Sequence, residues 1–440
     1  MISTRRDFLR SAAVLTAGAS TLPALSFADV DAIEDAAKKI ETLSPLDAAT
    51  DEDFWFTVQQ AFTVSPNIIN LNNGGVSPQP KIVQDALDRY NRIANEGPAY
   101  YMWKVLGDAR ENVRRQLAEL GGVSPEEIAI NRNSSEGLET VILGLNLKEG
   151  DEVVTTTQDY PNMRSALHQR ELREKIKVTQ IKIPVPCEDP QEIVKRFRDA
   201  VTPKTKVILM CQIINLTGQI LPVREVADMA HEKGIELICD GAHAFAHLDF
   251  KIPDLHCDYY ATSLHKWLSA PFGSGMLWVK KEKIKNLWTL LADPDPLKDN
   301  IRKFETLGTR SFPIELAIGT AINFHNGIGS KRKEERLRYL KNYWAEKVVK
   351  FPKVKLNTSL KHEYSCALCN FTIEGWDIAA LQQKLFDDYK IFTTPITHDE
   401  FSGIRITPHV YTTLNDLNYF VSAVEKITKE TPPAKPTTSK

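Results

Sequence analysis

The sequence has almost no excess of charge of either sign. Its 440 residues include 55 Lys and Arg against 57 Asp and Glu, which gives a formal net charge of −2 at pH 7. The basic residues are spread along the chain, so there is no electrostatic case for a nucleic acid or an anionic membrane surface as a partner. Outside a weakly apolar N-terminal run, no stretch is apolar enough to span a bilayer. We therefore expect no nucleic-acid partner and no stable membrane anchor.

Cysteine is scarce as well, and six cysteines offer no disulfide framework. Three of them lie in or near apolar runs and are typical of small core residues: Cys211, Cys239 and Cys257. Cys366 and Cys369 form a C-x-x-C, but within a predicted strand over residues 364–373, where side chains three apart point to opposite faces. A redox pair is therefore disfavoured, and the sequence predicts no metal site.

The early strands are not followed by a G-x-G-x-x-G, which argues against a nucleotide-dependent dehydrogenase. Instead, β-branched runs alternate with amphipathic helical patterns, which predicts an α/β fold with a mostly parallel sheet covered on both faces. The clearest predicted strands are residues 152–156, 177–183, 206–211, 235–239 and 276–279. From about Phe312 a long helix is followed by mixed strands and helices, which is typical of a smaller α+β domain.

These patterns predict five segments along the chain. They are an export signal over 1–28, an N-terminal segment over 29–75 that packs on the small domain, a large domain over 76–308, a small C-terminal domain over 309–430, and a disordered tail over 431–440 that is rich in Pro, Lys and Thr.

The N-terminus is typical of a twin-arginine (Tat) export signal. Arg5 and Arg6 are followed by Phe8-Leu9 and by the charge-free, Ala-rich run 11–28, with small residues suited to cleavage near its end. The alternative is a basic first turn followed by an amphipathic helix. Because the twin-arginine route carries folded proteins, the signal predicts the Tat translocase as a partner and a periplasmic or exported location.

Two segments carry the residues best suited to chemistry. Asp240-Gly-Ala-His243 follows an apolar strand, at the strand end where open α/β sheets place ligand-binding groups. A carboxylate buried there needs a cationic or hydrogen-bonding partner. Lys266 ends Ser263-Leu-His265-Lys266, and a desolvated lysine loses part of its preference for charge and becomes a nucleophile. Taken singly, Lys266 would be a surface lysine and Asp240 a helix cap.

Together these motifs resemble the class V (fold type I) aminotransferase family, which depends on pyridoxal phosphate (PLP). The resemblance extends from about Asn70 to Glu425, and Gly308-Thr309-Arg310 is similar to the isopenicillin N epimerase-like subgroup. It implies the fold type I PLP-dependent transferase architecture, with a large domain built on a mostly parallel sheet of the seven-stranded type and a smaller α+β C-terminal domain. It also implies PLP as cofactor and an amino-acid-like or peptide substrate.

The resemblance also implies a role for individual residues. Lys266 would carry the cofactor covalently and move the substrate's Cα proton, and Asp240 would pair with the pyridine nitrogen. Phosphate contacts would come from Ser134, Ser135, Ser263 and His265. The cofactor's 3-hydroxyl would contact Asn215 and His243, and its ring would stack on Tyr160, or on Asp159 if the alignment slips by one. Thr309 would reach the phosphate bound by the neighbouring subunit, which implies a homodimer. Arg405 would hold a substrate carboxylate, and Asn73 belongs to a glycine turn on the substrate side.

Several of these positions have ordinary alternatives. Ser134 and Ser135 could serve only in a helix cap, Asn215 could simply satisfy a turn, and Arg405 could be a surface arginine.

One departure narrows the chemistry. Cysteine desulfurases of this class keep a nucleophilic cysteine shortly before the C-terminal arginine, and none lies between Asn370 and Arg405. Persulfide chemistry is therefore disfavoured. The polar loop 393–403 could face the substrate, but a solvated turn is the expectation for His398, Asp399 and Glu400. Transamination, epimerisation and C–S bond cleavage stay open, as do tailoring of a siderophore or peptide and a relative that binds PLP without catalysis.

Overall fold

The computed structural model describes residues 28–433, so residues 1–27 of the predicted export signal and residues 434–440 of the predicted tail lie outside the described residues. The helices are α1 Ala28–Lys39, α2 Pro45–Ala48, α3 Glu52–Gln59, α4 Lys81–Asn95, α5 Pro98–Tyr100, α6 Gly107–Gly121, α7 Ser134–Gly144, α8 Pro161–Glu174, α9 Pro190–Ala200, α10 Val223–His231, α11 Phe312–Ile328, α12 Ser330–Val348, α13 Ile378–Tyr389 and α14 Leu414–Thr428. The strands are β1 Ile69–Asn70, β2 Ile128–Asn131, β3 Glu152–Thr156, β4 Lys177–Ile181, β5 Thr205–Cys211, β6 Glu236–Asp240, β7 Tyr259–Ser263, β8 Gly275–Val279, β9 Val354–Leu356, β10 Cys369–Ile373, β11 Ile391–Phe392, β12 Thr394–Thr397 and β13 Ser402–Ile406.

A seven-stranded sheet forms the larger part of the fold. Its strand order is β2-β8-β7-β6-β5-β3-β4, and only β8 runs antiparallel to its neighbours. This confirms the predicted α/β class and the mostly parallel sheet. Because the carboxyl ends of parallel strands meet at one edge of a sheet, Thr156, Cys211, Asp240 and Ser263 all come to the same edge.

Both faces of this sheet are covered. Along β5, Ile208 and Met210 join the hydrophobic cluster on one face, while Val207 and Leu209 join the cluster on the other. β5 is therefore an almost continuous apolar run rather than an alternating one, which is the pattern of a parallel strand buried on both sides.

The smaller part is built on a four-stranded antiparallel sheet, β12-β13-β10-β9. Its core contains the edge-to-face cluster of Trp344, Phe371 and Phe420, with ring centroids 5.2 to 5.9 Å apart. Within residues 28–433, no helix is long and apolar enough to cross a membrane.

The cysteines are core residues. All six are buried and none forms a disulfide. The strand predicted over 364–373 is shorter than expected and begins at Cys369, so Cys366 lies before it. Burial raises the pKa of the Cys366 thiol to about 12 and that of Cys369 to about 11, which keeps both protonated and unreactive.

The helix α11 packs on the larger part. Leu316, Ile318 and Ile322 join the hydrophobic cluster that contains Ile208 and Met210 of β5. The helix α11 lies against α4 and α6. The predicted boundary at residue 309 stays a prediction, but the core of the larger part extends at least to this helix. The N-terminal segment packs beside it, since Phe54 and Trp55 share a cluster with Phe324 and Leu337.

Candidate active site

A pocket of about 370 Å³ opens at the carboxyl ends of the parallel strands. Its lining residues are Gly74, Gly75, Asn133, Ser134, Ser135, Tyr160, Cys211, Ile213, Asn215, Asp240, Ala242, His243, Ser263, His265, Lys266 and Arg405. Ten of the residues that the sequence predicted for the site are among them, and the roles assigned to these residues stay predictions. Asn73 and Thr309 do not line the pocket.

Lys266 and Asp240 lie in this pocket in a desolvated environment. Burial raises the pKa of Asp240 to about 6, although the Ala242 N–H, 2.9 Å from Asp240 Oδ1, and the cation of Lys266 act in the opposite direction. Burial lowers the pKa of Lys266 to about 8, against the effect of Asp240. A lysine with this pKa is partly neutral near physiological pH, which suits it to act as a nucleophile or a proton acceptor.

His243 lies beside Lys266, with 3.3 Å between His243 Nε2 and Lys266 Nζ. Burial, and then the charges of Lys266 and Arg405, lower the pKa of His243 far below its usual value, so the ring is neutral. Its Nδ1 is buried without a hydrogen-bond partner in the described structure. A ring in this position can exchange a hydrogen bond with a bound ligand or with Lys266.

A stack of rings lies behind Lys266 and was not predicted from the sequence. The Trp267 ring lies between His247, at 3.9 Å, and His409, at 5.7 Å between centroids. His247 Nδ1–H donates to His243 O at 2.6 Å, and its Nε2 accepts from Ala367 N–H at 2.9 Å. The ring is therefore neutral, and burial lowers its pKa to about 3. The only sequence signal was the four-residue spacing of His243 and His247.

The end of the pocket that is suited to a phosphate group is formed by the N-terminus of α7. Asn133 caps the helix through its side chain, which accepts from Glu136 N–H at 2.9 Å. Ser263 Oγ lies 2.9 Å from Ser134 N and 3.0 Å from Ser134 Oγ, so the two serines meet across β7 and α7. A Cβ at Gly275 would lie 2.5 to 2.7 Å from Asn131 and Asn133, so only glycine fits there. Since Ser134 N–H and Glu136 N–H are used in these contacts, the hydroxyls of Ser134 and Ser135 are the groups at this helix start that are suited to an anion.

His265 extends this end of the pocket. Its Nδ1 donates to Ser274 O at 3.0 Å, so Nε2 is the nitrogen left for a ligand. Burial and the neighbouring Lys266 lower the pKa of His265. Because only the protonated ring can donate from both nitrogens, a bound phosphate dianion would favour the imidazolium form.

Arg405 is a buried cation at the opposite wall. It lies in β13, and its guanidinium donates to Asn215 O and to Asn72 Oδ1, both at 2.9 Å. Its Nε is buried without a partner, and within residues 28–433 no carboxylate forms an ion pair with it. Burial lowers its pKa to about 10, which leaves it charged at neutral pH. Such a cation is suited to a ligand carboxylate.

Asn73 and its neighbour differ from the prediction. The Asn73 side chain donates to Thr407 O at 2.8 Å and accepts from Tyr411 Oη at 2.6 Å, so its amide is used to join the glycine turn to the smaller part. Asn72 is the residue of this turn that contacts Arg405. The orientation of the turn, which the sequence does not reveal, decides which of the two asparagines contacts Arg405.

Tyr160 faces the pocket and Asp159 faces the core. Asp159 is buried and accepts from Thr155 Oγ1, Thr156 N and Cys211 N, each at 2.8 Å. Tyr160 is 39% exposed and lines the pocket. Of these two residues only Tyr160 lines the pocket, and its stacking on a ligand stays a prediction.

The loop predicted as a solvated turn contacts the larger part instead. His398 and Glu400 both hydrogen-bond to Thr157, and of these three residues only Asp399 is exposed. Thr309 is exposed and lies outside the pocket, while its neighbour Arg310 donates to Glu315 Oε1 at 2.6 Å and to Glu305 O at 3.1 Å. These contacts fix the loop that presents Thr309 at the surface.

The one thiol that lines the pocket is poorly suited to act as a nucleophile. Burial, and then the carboxylates of Asp159 and Asp240, raise the pKa of Cys211 far above its usual value. The Cys211 thiol is therefore protonated. The loop 393–403, where cysteine desulfurases of this class keep their nucleophile, contains no cysteine. The pocket thus holds a buried acid, a lysine with a lowered pKa, an anion-binding helix start and an uncompensated cation, which is the donor set that fits PLP and a carboxylate-bearing substrate.

Comparisons with known proteins agree with this geometry. The profile described as Aminotransferase class-V matches residues 69–398. Isopenicillin N epimerase from Amycolatopsis lactamdurans is 27% identical over 394 residues, with 85% of this chain and 99% of the relative covered. Hercynylcysteine sulfoxide lyase from Schizosaccharomyces pombe is 23% identical, with 84% and 96% covered.

Among solved structures, the apo structure of cysteine desulfurase from Thermococcus onnurineus NA1 is similar in fold. The TM-score is 0.76 at 22% sequence identity, with 86% of this chain and 98% of that chain covered. The fold predicted from the resemblance is thereby confirmed. The match over residues 69–398 shows that the chain belongs to the class V aminotransferase family, whose cofactor is pyridoxal phosphate.

Proposed function

We propose that this protein acts on the amino group and Cα of an amino-acid-like or peptidyl substrate, as an isopenicillin N epimerase-like enzyme or an aminotransferase. One observation carries the proposal: Lys266, with its lowered pKa, and the uncompensated cation of Arg405 line the same pocket. The first group can move a Cα proton, and the second can hold the neighbouring carboxylate. The similarity to isopenicillin N epimerases supports this proposal.

Each of these pocket residues has a distinct role in the proposed reaction. Bound PLP supplies an electron sink for the charge that develops at Cα. Asp240 would keep a proton on the ring nitrogen through its carboxylate, and Ser134, Ser263 and His265 would hold the phosphate. Arg405 orients the substrate by its carboxylate. Lys266 Nζ would take the Cα proton, with a high effective concentration because it is tethered in the pocket. A proton returned to the opposite face of Cα inverts the configuration, whereas one returned to the same face restores the substrate.

A C–S lyase is the second candidate. The similarity to hercynylcysteine sulfoxide lyase favours it, and the protonated state of Cys211 disfavours a desulfurase that needs a thiolate. Cleavage of a β C–S bond begins with the same loss of the Cα proton, so Lys266 would serve both reactions. The two candidates therefore differ in what leaves or returns after that step.

A panel of amino acids and small peptides in D2O separates these outcomes. Epimerisation gives a Cα-deuterated product of inverted configuration, transamination gives a keto acid, and C–S cleavage releases a sulfur compound. We expect Cα exchange with at least one substrate, visible absorbance that is bleached by borohydride, and neither property in Lys266→Ala. A yellow parent without Cα exchange on any substrate would contradict the proposed function and favour a binding protein.

We also propose that the protein is exported through the twin-arginine route, with tailoring of an exported peptide or siderophore as its setting. Arg5 and Arg6 support the export proposal. Changing both to Lys should retain cofactor-loaded protein in the cytoplasm, as measured by cell fractionation. A deletion strain whose extracellular metabolites are unchanged would count against the tailoring role.

A further inference from the structure

The turn between β12 and β13 is joined to the larger part by a compact set of hydrogen bonds. Glu400 Oε1 accepts from Thr157 Oγ1 at 2.5 Å, and Glu400 Oε2 accepts from Gln158 Nε2 at 2.8 Å. His398 Nε2 lies 3.0 Å from Thr157 O. Three hydrogen bonds from one four-residue turn therefore end on two consecutive residues of the larger part.

His398 is oriented for this contact. Its Nδ1 accepts from Glu400 N–H at 3.2 Å, and its ring stacks on Phe401 with 5.1 Å between centroids. His398 N–H also donates to Phe401 O at 3.0 Å, which closes the turn. The neutral tautomer with hydrogen on Nε2 satisfies both ring contacts at once, because Nδ1 must accept while Nε2 donates.

The other end of the contact is the turn that carries Tyr160. Gln158 is buried and its Nε2 also donates to Ile183 O at 2.7 Å. Asp159 is held from inside by three donors, as described above. On the outer side, Thr157 O accepts from Arg164 and from His398. The contact with the β12–β13 turn thus adds three hydrogen bonds to those that residues 157–158 form with Arg164, Ile181 and Ile183.

The same hairpin carries Arg405. In the β12–β13 pairing Arg405 lies opposite Thr394, at the far end from Thr397 and Ser402, which flank the turn. Tyr160 and Arg405 both line the pocket, one from the larger part and one from the smaller part. The spacing between these two side chains therefore depends on how the hairpin sits against residues 157–160.

We propose that Glu400 and His398 form a clasp between the β12–β13 turn and residues 157–158, and that this clasp sets the spacing between Tyr160 and Arg405. The clasp residues are positioning residues, because they touch neither the pocket nor Lys266. By fixing the two walls at one distance, they set the affinity for a carboxylate-bearing substrate. This last consequence rests on the proposed function, whereas the clasp itself does not.

Three variants of the cofactor-loaded protein test the clasp. Glu400→Ala removes both carboxylate contacts. Glu400→Gln keeps an oxygen that can accept from Gln158 and an amide that can donate to the Thr157 hydroxyl, so it should retain the clasp. Asp399→Ala is the matched control, because Asp399 is exposed in the same turn and forms no hydrogen bond through its side chain in residues 28–433.

Hydrogen exchange measured by mass spectrometry gives a readout that needs no reaction. We expect Glu400→Ala to speed amide exchange in residues 155–164 and 394–403 by roughly tenfold, since two hydrogen bonds to a charged group are lost. Exchange in Asp399→Ala should match the parent, and Glu400→Gln should lie close to it. Unchanged exchange in Glu400→Ala, or equal acceleration in Asp399→Ala, would overturn the clasp.

Kinetics with the best substrate of the panel then tests the positioning role. Glu400→Ala should raise KM by roughly tenfold and change kcat by less than about twofold, because ground-state and transition-state grip on the carboxylate weaken together. Restoration of KM in Glu400→Gln supports the proposal. A fall in kcat at constant KM, or faster exchange without any change in KM, would overturn the positioning role. If the parent turns over no substrate, the proposed function fails, and the exchange data still decide on the clasp.

Discussion

Two residues of the pocket carry buried charges that burial disfavours while no cofactor is bound. Asp240 is buried beside Lys266, and each has its pKa moved towards the neutral form by burial. A cofactor that brings a protonated ring nitrogen to Asp240 and removes the charge of Lys266 relieves both effects. Cofactor binding and stability of the fold are therefore linked at these two side chains.

Asp240 makes this link measurable in the cofactor-free protein. Its pKa in the folded state is about 6, above its ordinary value of 3.8, so its contribution to stability is complete below about pH 4 and is lost as the pH rises through 6. Asp240→Asn has no such loss. The free energy of unfolding of the variant minus that of the parent should therefore rise by up to about 3 kcal/mol from pH 4 to pH 7. Urea unfolding at several pH values measures it, with the exposed Asp399→Asn as control; a difference that is flat with pH would contradict the expectation.

At the scale of the elements, the carboxyl ends of the parallel strands position the side chains of the pocket. Asp240 and Ser263 could be predicted because each follows an apolar run, and the end of a buried parallel strand fixes the edge at which the next side chain emerges. Asn73 could not be distinguished from Asn72, since the orientation of a turn depends on what packs against it. His398 and Glu400 were expected in solvent because their segment is polar, but their partners Thr157 and Gln158 are distant in sequence, and only the packed fold brings them together.

The approach of β6 to β7 leaves no room after Asp240. A Cβ at Gly241 would overlap the ring of Tyr260, which is fully buried and cannot move into solvent. Gly241→Ala should therefore lower the free energy of unfolding by about 1–3 kcal/mol or more. Gly327→Ala is the control, because its Cβ would meet its nearest neighbour at 3.8 Å and a helical alanine is favoured over glycine by about 1 kcal/mol. Equal urea midpoints for Gly241→Ala and the parent would show that the strands can separate at this point.

For the whole molecule, we propose a homodimer with shared sites. Thr309 is exposed on a loop that is fixed by Arg310, and it lies outside the pocket of its own chain. A loop held in this way is suited to present Thr309 to a second copy. Large apolar side chains are exposed as well, among them Trp103 at 56% and Phe272 at 55%.

Mixing two defective chains tests the shared site. Lys266→Ala lacks the cofactor lysine, and Thr309→Glu places a negative charge where a phosphate of the partner is expected. Each variant alone should lose most activity, but after unfolding and refolding together they should regain part of it, since a mixed dimer contains one site with both native residues. No recovery in a mixture that light scattering shows to be dimeric would contradict the shared site, and a monomeric parent would contradict the dimer.

The contact between Asn72 and Arg405 joins residues that are 333 positions apart in the chain. During synthesis, the strands that supply Asp240 and Lys266 leave the ribosome well before β13 does. A nascent chain can therefore assemble the parallel sheet and the side chains at its strand ends before Arg405 is in place. Contacts of such long range form late, because the loop they close is large. A change in cofactor absorbance when an amino acid is added would therefore show that the chain has folded over nearly its whole length. The colour of the bound cofactor alone would not show this.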